Sequence, residues 1–132
     1  MTKYQELVED IKKTNQLYNA LKTKVNDGFV KELANFLGCN PDVIIVEFES
    51  PNYFDSNDMI KWKFELVIQI ISPDQTLSVP LKGFSLITLK KRALEDPLTI
   101  SYEGAENGAS MEKLSIAIFD KVKKEIDEGS WF

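Results

Sequence analysis

From Ile60 to Ile71 the chain alternates with a period of two. Ile60, Trp62, Phe64, Leu66, Ile68 and Ile70 share one parity, and Lys61, Lys63, Glu65, Val67, Gln69 and Ile71 share the other. Successive strand side chains point to opposite faces, so this pattern predicts a strand with one face in a core. Ser72-Pro73-Asp74-Gln75 is turn chemistry, and a four-residue hairpin loop that sets Ile71 opposite Thr76 writes out a full register. Ile70 then faces Leu77, Ile68 faces Val79 and Leu66 faces Leu81, while Glu65 meets Lys82 and Gly83 lies across from Phe64. Both faces match in this single register, which is what specifies a hairpin. Pro80 has no N–H to donate, so the second strand is expected at a sheet edge there, or bulged.

Upstream the period changes. Tyr4, Leu7, Ile11, Tyr18, Leu21 and Val25 recur at spacings of three, four and seven, with Val8 beside them, and predict an amphipathic helix. Thr14 interrupts the stripe where a coiled coil would place Leu, so the helix is expected to pack on the protein's own sheet rather than in a two-helix seam with a partner. Asn26, Asp27 and Gly28 read as a break. Phe29, Val30, Leu33, Phe36 and Leu37 predict a second helix ended by Gly38, with Asn40-Pro41 after it. Val43 to Phe48 is β-branched and aromatic and reads as a buried strand. Ser50–Asp58 reads as a loop.

Downstream of the hairpin, Ile87 and Thr88 favour strand whereas Leu89 to Glu95 favours helix, and a short helix ending before Asp96-Pro97 is the expectation. Leu98, Ile100 and Tyr102 alternate as a further strand, and Glu103–Ala109 reads as a loop. Ser110 is a candidate N-cap for a last helix carrying Met111, Leu114, Ala117, Ile118, Val122 and Ile126 on its apolar face, with Phe119 at the border and Gly129 at the end. The predicted fold is α+β: an antiparallel sheet of about four strands packed against N- and C-terminal helices, in the order α-α-β-β-β-(α)-β-α. No repeat or linker divides residues 1–132, so a single domain is expected. This order resembles, in arrangement alone, that of small acidic secretion chaperones and other compact partner-binding bacterial domains.

Composition narrows the chemistry. There is no histidine, and Cys39 is the only thiol. A His-based proton relay, a Ser–His or Cys–His nucleophile and a His-ligated metal are therefore excluded by inventory. Cys39 has no basic neighbour to lower its pKa and reads as a packing residue behind Gly38. A lone cysteine forms no internal disulfide, and the first ten residues mix Lys3 with Glu6, Glu9 and Asp10. Leu66–Ile71 is far shorter than the roughly 20 residues of a membrane span. A cytoplasmic, non-membrane protein is expected. Net charge is −5 and Arg92 is the only arginine, which argues against direct nucleic-acid binding.

Charge is unevenly spread, and residues 27–58 hold one Lys against seven acids. Glu47 and Glu49 share a strand face, and the loop adds Tyr53, Phe54, Asp55 and Asp58. We read Glu47, Glu49, Tyr53, Phe54, Asp55 and Asp58 as a contact surface, two aromatic anchors in an acidic rim suited to a basic protein partner. The structural alternative folds both rings over the core edge and leaves the acids as the wet side of a half-buried strand. The loop lacks the alternating ligands, central glycine and closing glutamate of an EF-hand, no phosphate-cradling glycine motif is present, and no metal, cofactor or catalytic residue is expected. The expected function is a non-enzymatic acidic protein-binding module of inhibitor, immunity, adaptor or chaperone type, with which a homodimer is compatible. The alternatives are a carrier with an apolar cavity lined by Trp62, Phe64, Leu66 and Ile68, and a carboxylate-dependent enzyme with acids converging in a cleft.

Overall fold

The computed structural model describes residues 2–51, 58–95 and 97–129. The architecture is α+β, with five antiparallel strands among the described residues and helices on both sides of them in the chain order. Helix α1 spans Lys3–Lys24 and starts in a capping box in which Thr2 and Gln5 satisfy each other's backbone N–H. The expected break at Asn26-Asp27-Gly28 is a π-helical turn, Val25–Phe29, through which the helix continues into α2, Val30–Leu37. The wider turn inserts one residue into the helical period, so Val25, Phe29, Val30, Leu33 and Ala34 all reach the core. Gly38 closes α2 in the left-handed conformation, at φ 73°.

Strands β1 (Ile44–Phe48), β2 (Met59–Ile71), β3 (Thr76–Leu89), β4 (Thr99–Tyr102) and β5 (Ala105–Glu106) form a meander in the order β1-β2-β3-β4-β5. The hairpin register holds from Ile71–Thr76 through Leu66–Leu81. Beyond that it shifts: Phe64 faces Phe84 rather than Gly83, and Lys82 and Gly83 form a bulge across from Glu65. Gly83, at φ 100°, supplies the backbone that the bulge requires. The shift keeps Phe84, Leu86 and Thr88 on the core face. Pro80 lies where β3 has no outer neighbour, since β4 pairs only with Ser85–Ile87.

Three further expectations are corrected. Residues Ser85 to Leu89 continue β3, paired with Met59–Lys63, and only a 3₁₀ turn at Lys90–Arg92 remains of the short helix. Ladder formation against β2 outweighs the helix propensity of that stretch. The loop Glu103–Ala109 contains β5, because Glu103 and Gly104, at φ 48° and 85°, make a two-residue hairpin turn with positive φ at both positions. β1 is not buried. It is the sheet's edge strand, with Ile44 inside, Val46 and Phe48 half-buried, and Ile45 and Glu47 exposed.

Helix α3 (Met111–Glu128), capped by the Ser110 hydroxyl, sets Leu114, Ile118 and Val122 against β3, β4 and α2. The core between sheet and helices is strongly aromatic. Phe84 stacks between Phe64 and Tyr102 at centroid distances of 5.3 and 4.2 Å, and Phe48 stacks on Trp62 at 4.3 Å. No described helix is long and apolar enough to cross a membrane.

Candidate interaction surface

Among the described residues, helices cover the inner face of the sheet and none packs on its outer face. On that outer face β1 pairs with β2 so that Glu47 lies directly opposite Glu65. Like charges at directly opposed positions are unfavourable. A hydrogen bond between the two carboxyls, followed by desolvation and mutual repulsion, holds Glu47 above the ordinary carboxylate range. The pair is the kind of carboxylate couple a hydrolase uses, but Glu47 stands at the open surface rather than in an apolar pocket.

Glu49 follows on the same face. Its N–H donates to the Lys63 carbonyl at 3.0 Å and its carbonyl accepts from Trp62 Nε1 at 2.7 Å. Asp58 is exposed where β2 begins, and its carbonyl accepts the Lys90 N–H at 2.6 Å. Tyr53, Phe54 and Asp55 lie outside the described residues, as do the C-terminal Trp131 and Phe132. The fold therefore brings Glu47 and Glu49 together and adds Glu65, which sequence reasoning left in a cross-strand pair with Lys82.

The acids are not alone. Lys61, Lys63 and Lys82 share with Glu47, Glu49 and Glu65 a shallow concavity of about 570 Å³. Its outermost strand carries acids and no cation, because the sequence has no Lys or Arg between Lys31 and Lys61. No group of acids and cysteine among the described residues has the arrangement of a metal site.

A second exposed feature lies on α1. Its apolar stripe is buried at Leu21 and Val25, yet Tyr4, Leu7 and Ile11 are 74%, 60% and 53% exposed. The expectation that the whole stripe packs on the sheet thus holds only for the C-terminal half of the helix. Tyr18, edge-on to the Trp62 ring at 4.7 Å, marks where the body ends. The sequence signal was present in the stripe itself, but where the sheet stops beneath it is a tertiary fact.

A third feature is an apolar groove of about 290 Å³ between α2, β2 and α3, lined by Leu37, Val43, Ile68, Ile70, Val122 and Ile126. Cys39 lies in its wall, where burial pushes the thiol pKa up against the opposing pull of a backbone hydrogen bond. The cavity expected around Trp62, Phe64, Leu66 and Ile68 is elsewhere: these four are buried, and the rings of Trp62 and Phe64 pack against Tyr18, Phe29, Phe48 and Phe84. Only Ile68 reaches the groove.

Fold and surface together define an α+β domain with a one-sided antiparallel meander and a projecting N-terminal helix. Compared with family models, curated proteins and solved structures, this chain matches none.

Proposed function

We propose that this chain is a non-enzymatic protein-binding module, of inhibitor, immunity, adaptor or chaperone type, that meets a basic partner surface with its acidic β1–β2 region. The observation that carries the reading is the stripe Tyr4-Leu7-Ile11. Three large apolar side chains at helical spacing stand in water on a face that is core further along the same helix. Contiguous exposed apolar surface rimmed by charge is the usual mark of a protein contact. Glu47 and Glu49 on β1 supply negative potential for steering a basic partner, whereas around the stripe Glu6, Glu9 and Asp10 are balanced by Lys3, Lys12 and Lys13.

The test is affinity capture from the native host, identification of the retained protein, and calorimetry with that protein purified. Leu7→Ser/Ile11→Ser and Glu47→Lys/Glu49→Lys variants are each expected to weaken binding about tenfold or more. Wild-type affinity in both would overturn the reading. The apolar groove beside Ile68 and Ile70 favours one second reading, a carrier of a small apolar ligand between sheet and helices. A tightly retained hydrophobic molecule in the purified protein would support it.

A further inference from the structure

Among the described residues, the open edges of β1, β3 and β5 are built differently. Along β3, residues Thr76 to Gly83 carry Pro80 and the Lys82-Gly83 bulge, both of which blunt an edge. β5 is two residues long. β1, Ile44-Ile45-Val46-Glu47-Phe48, contains no proline, lysine, glycine or bulge. Among the described residues no strand pairs with its outer side, where the Ile44 N–H alone is taken up, by the Pro41 carbonyl of the preceding turn.

The direction of its backbone groups follows from one contact. The Glu49 N–H donates to Lys63 on β2. In an antiparallel pair, alternate residues turn their N–H and C=O toward the partner. Glu49, Glu47 and Ile45 therefore bond inward, and Val46 and Phe48 present donors and acceptors outward, while the outward N–H of Ile44 is used by the Pro41 carbonyl. The same alternation sends the nitrogen of Pro80, opposite Val67, to the far edge, where no ladder bond is lost.

We propose that β1 is a docking edge that accepts an extended segment of a partner protein by strand addition, and that this segment alternates basic and apolar residues. The proposal rests on the protein-binding reading above and specifies its partner. The alternation is dictated by the two faces of β1. On the inner side Val46 and Phe48 are only half-buried and gain cover from apolar residues. On the outer side Glu47 and Glu49 are the charges nearest the edge, with Lys61, Lys63 and Lys82 one or two strands behind them. Self-pairing of β1 about Val46 would instead add two more carboxylates to the Glu47–Glu65 pair, which disfavours a second copy as the occupant.

The test uses the ¹⁵N-labelled full chain and the end-blocked peptide Lys-Val-Lys-Ile-Lys-Val, with Glu-Val-Glu-Ile-Glu-Val as control. The basic peptide is expected to slow amide exchange at Val46 and Phe48 by about tenfold or more, and the acidic one to leave it unchanged. Val46→Pro removes an outward N–H without breaking the β1–β2 ladder, and should abolish the protection while keeping the fold. Glu47→Lys/Glu49→Lys, which alters no backbone group, should reverse the peptide preference and decides the matter if Val46→Pro does not fold. No protection by the basic peptide, equal protection by both peptides, or protection of the same amides by concentration-dependent dimerisation would overturn the proposal. A failure here with the Leu7/Ile11 effect intact removes the β1 edge alone and leaves the protein-binding reading standing.

Discussion

The Trp62 indole donates to the Glu49 carbonyl at 2.7 Å, and this bond ties the aromatic core to the point where the acidic segment leaves the sheet. Trp62 is buried, stacked on Phe48 and edge-on to Tyr18, with the Lys22 ammonium 5.8 Å from its ring. The side chain therefore fixes β1 in two ways, through ring contact beneath it and a hydrogen bond at its end. Trp62→Phe keeps an aromatic ring but loses the N–H and some volume. We expect a loss of about 1–3 kcal/mol by urea denaturation, with faster amide exchange around Glu49. Unchanged stability would show that the bond contributes nothing net.

The Glu47–Glu65 pair makes stability depend on pH in a defined direction. A carboxyl whose folded pKa is raised binds its proton more tightly in the folded chain than in the unfolded one. Its stabilising contribution is fully present below the ordinary glutamate pKa and is lost as pH rises through the raised value. Glu47→Gln removes the titrating group while keeping a donor for Glu65. The stability of this variant relative to wild type is expected to improve as pH rises from below the carboxylate range toward neutrality. Parallel pH profiles from urea titration would contradict the pairing.

Gly83 tests the bulge. At φ 100° its backbone lies where side chains are rarely accommodated, although a Cβ would meet nothing within 4 Å. The penalty for Gly83→Ala is thus conformational rather than steric, and about 1–2 kcal/mol is expected. A smaller effect would mean that the strand can slip toward the regular register in which Gly83 faces Phe64.

Those two registers show what sequence could and could not reveal. The hairpin was legible because a period of two and a proline-containing turn constrain each other over Leu66–Ile71 and Thr76–Leu81. The bulge was not, because only the aromatic stack of Phe64, Phe84 and Tyr102 rewards moving Phe84 inward. In the same way Leu89 to Glu95 read as helix on local propensity, while the partner that made Ser85 to Leu89 a strand, Met59–Lys63, is remote in sequence. Of the candidate site, the shared face of Glu47 and Glu49 was legible from strand parity alone. Their neighbour Glu65 and the three lysines behind them were not, since the loop between β1 and β2 leaves the register of that pair unspecified by pattern.

Tyr102 holds a buried hydroxyl that lacks a well-aligned partner. It is 1% exposed, its ring lies 4.2 Å from Phe84, and among the described residues its hydroxyl makes no hydrogen bond of good geometry, although the Glu103 carboxylate is near enough to act on it. Burial first, then the negative charge of Glu103, raises its ionisation well above the ordinary tyrosine range. Removing an unsatisfied buried hydroxyl recovers its desolvation penalty. Tyr102→Phe is therefore expected to stabilise the fold by about 1 kcal/mol, read as a raised denaturation midpoint at unchanged m-value. A destabilised variant would reveal a partner for the hydroxyl in solution.

One apolar stripe on α1 serves two purposes, and substitution separates them. Leu21 is fully buried among core residues, so Leu21→Ala opens a cavity and should cost about 2–5 kcal/mol. Leu7 and Ile11 stand 60% and 53% exposed on the same helix, where a polar replacement removes no core contact. Leu7→Ser and Ile11→Ser, made singly, are each expected to change stability by no more than about 0.5 kcal/mol. A loss of several kcal/mol at Leu7 or Ile11 would instead mean that this half of the helix folds onto the body, and the apolar surface that motivates a protein partner would not exist.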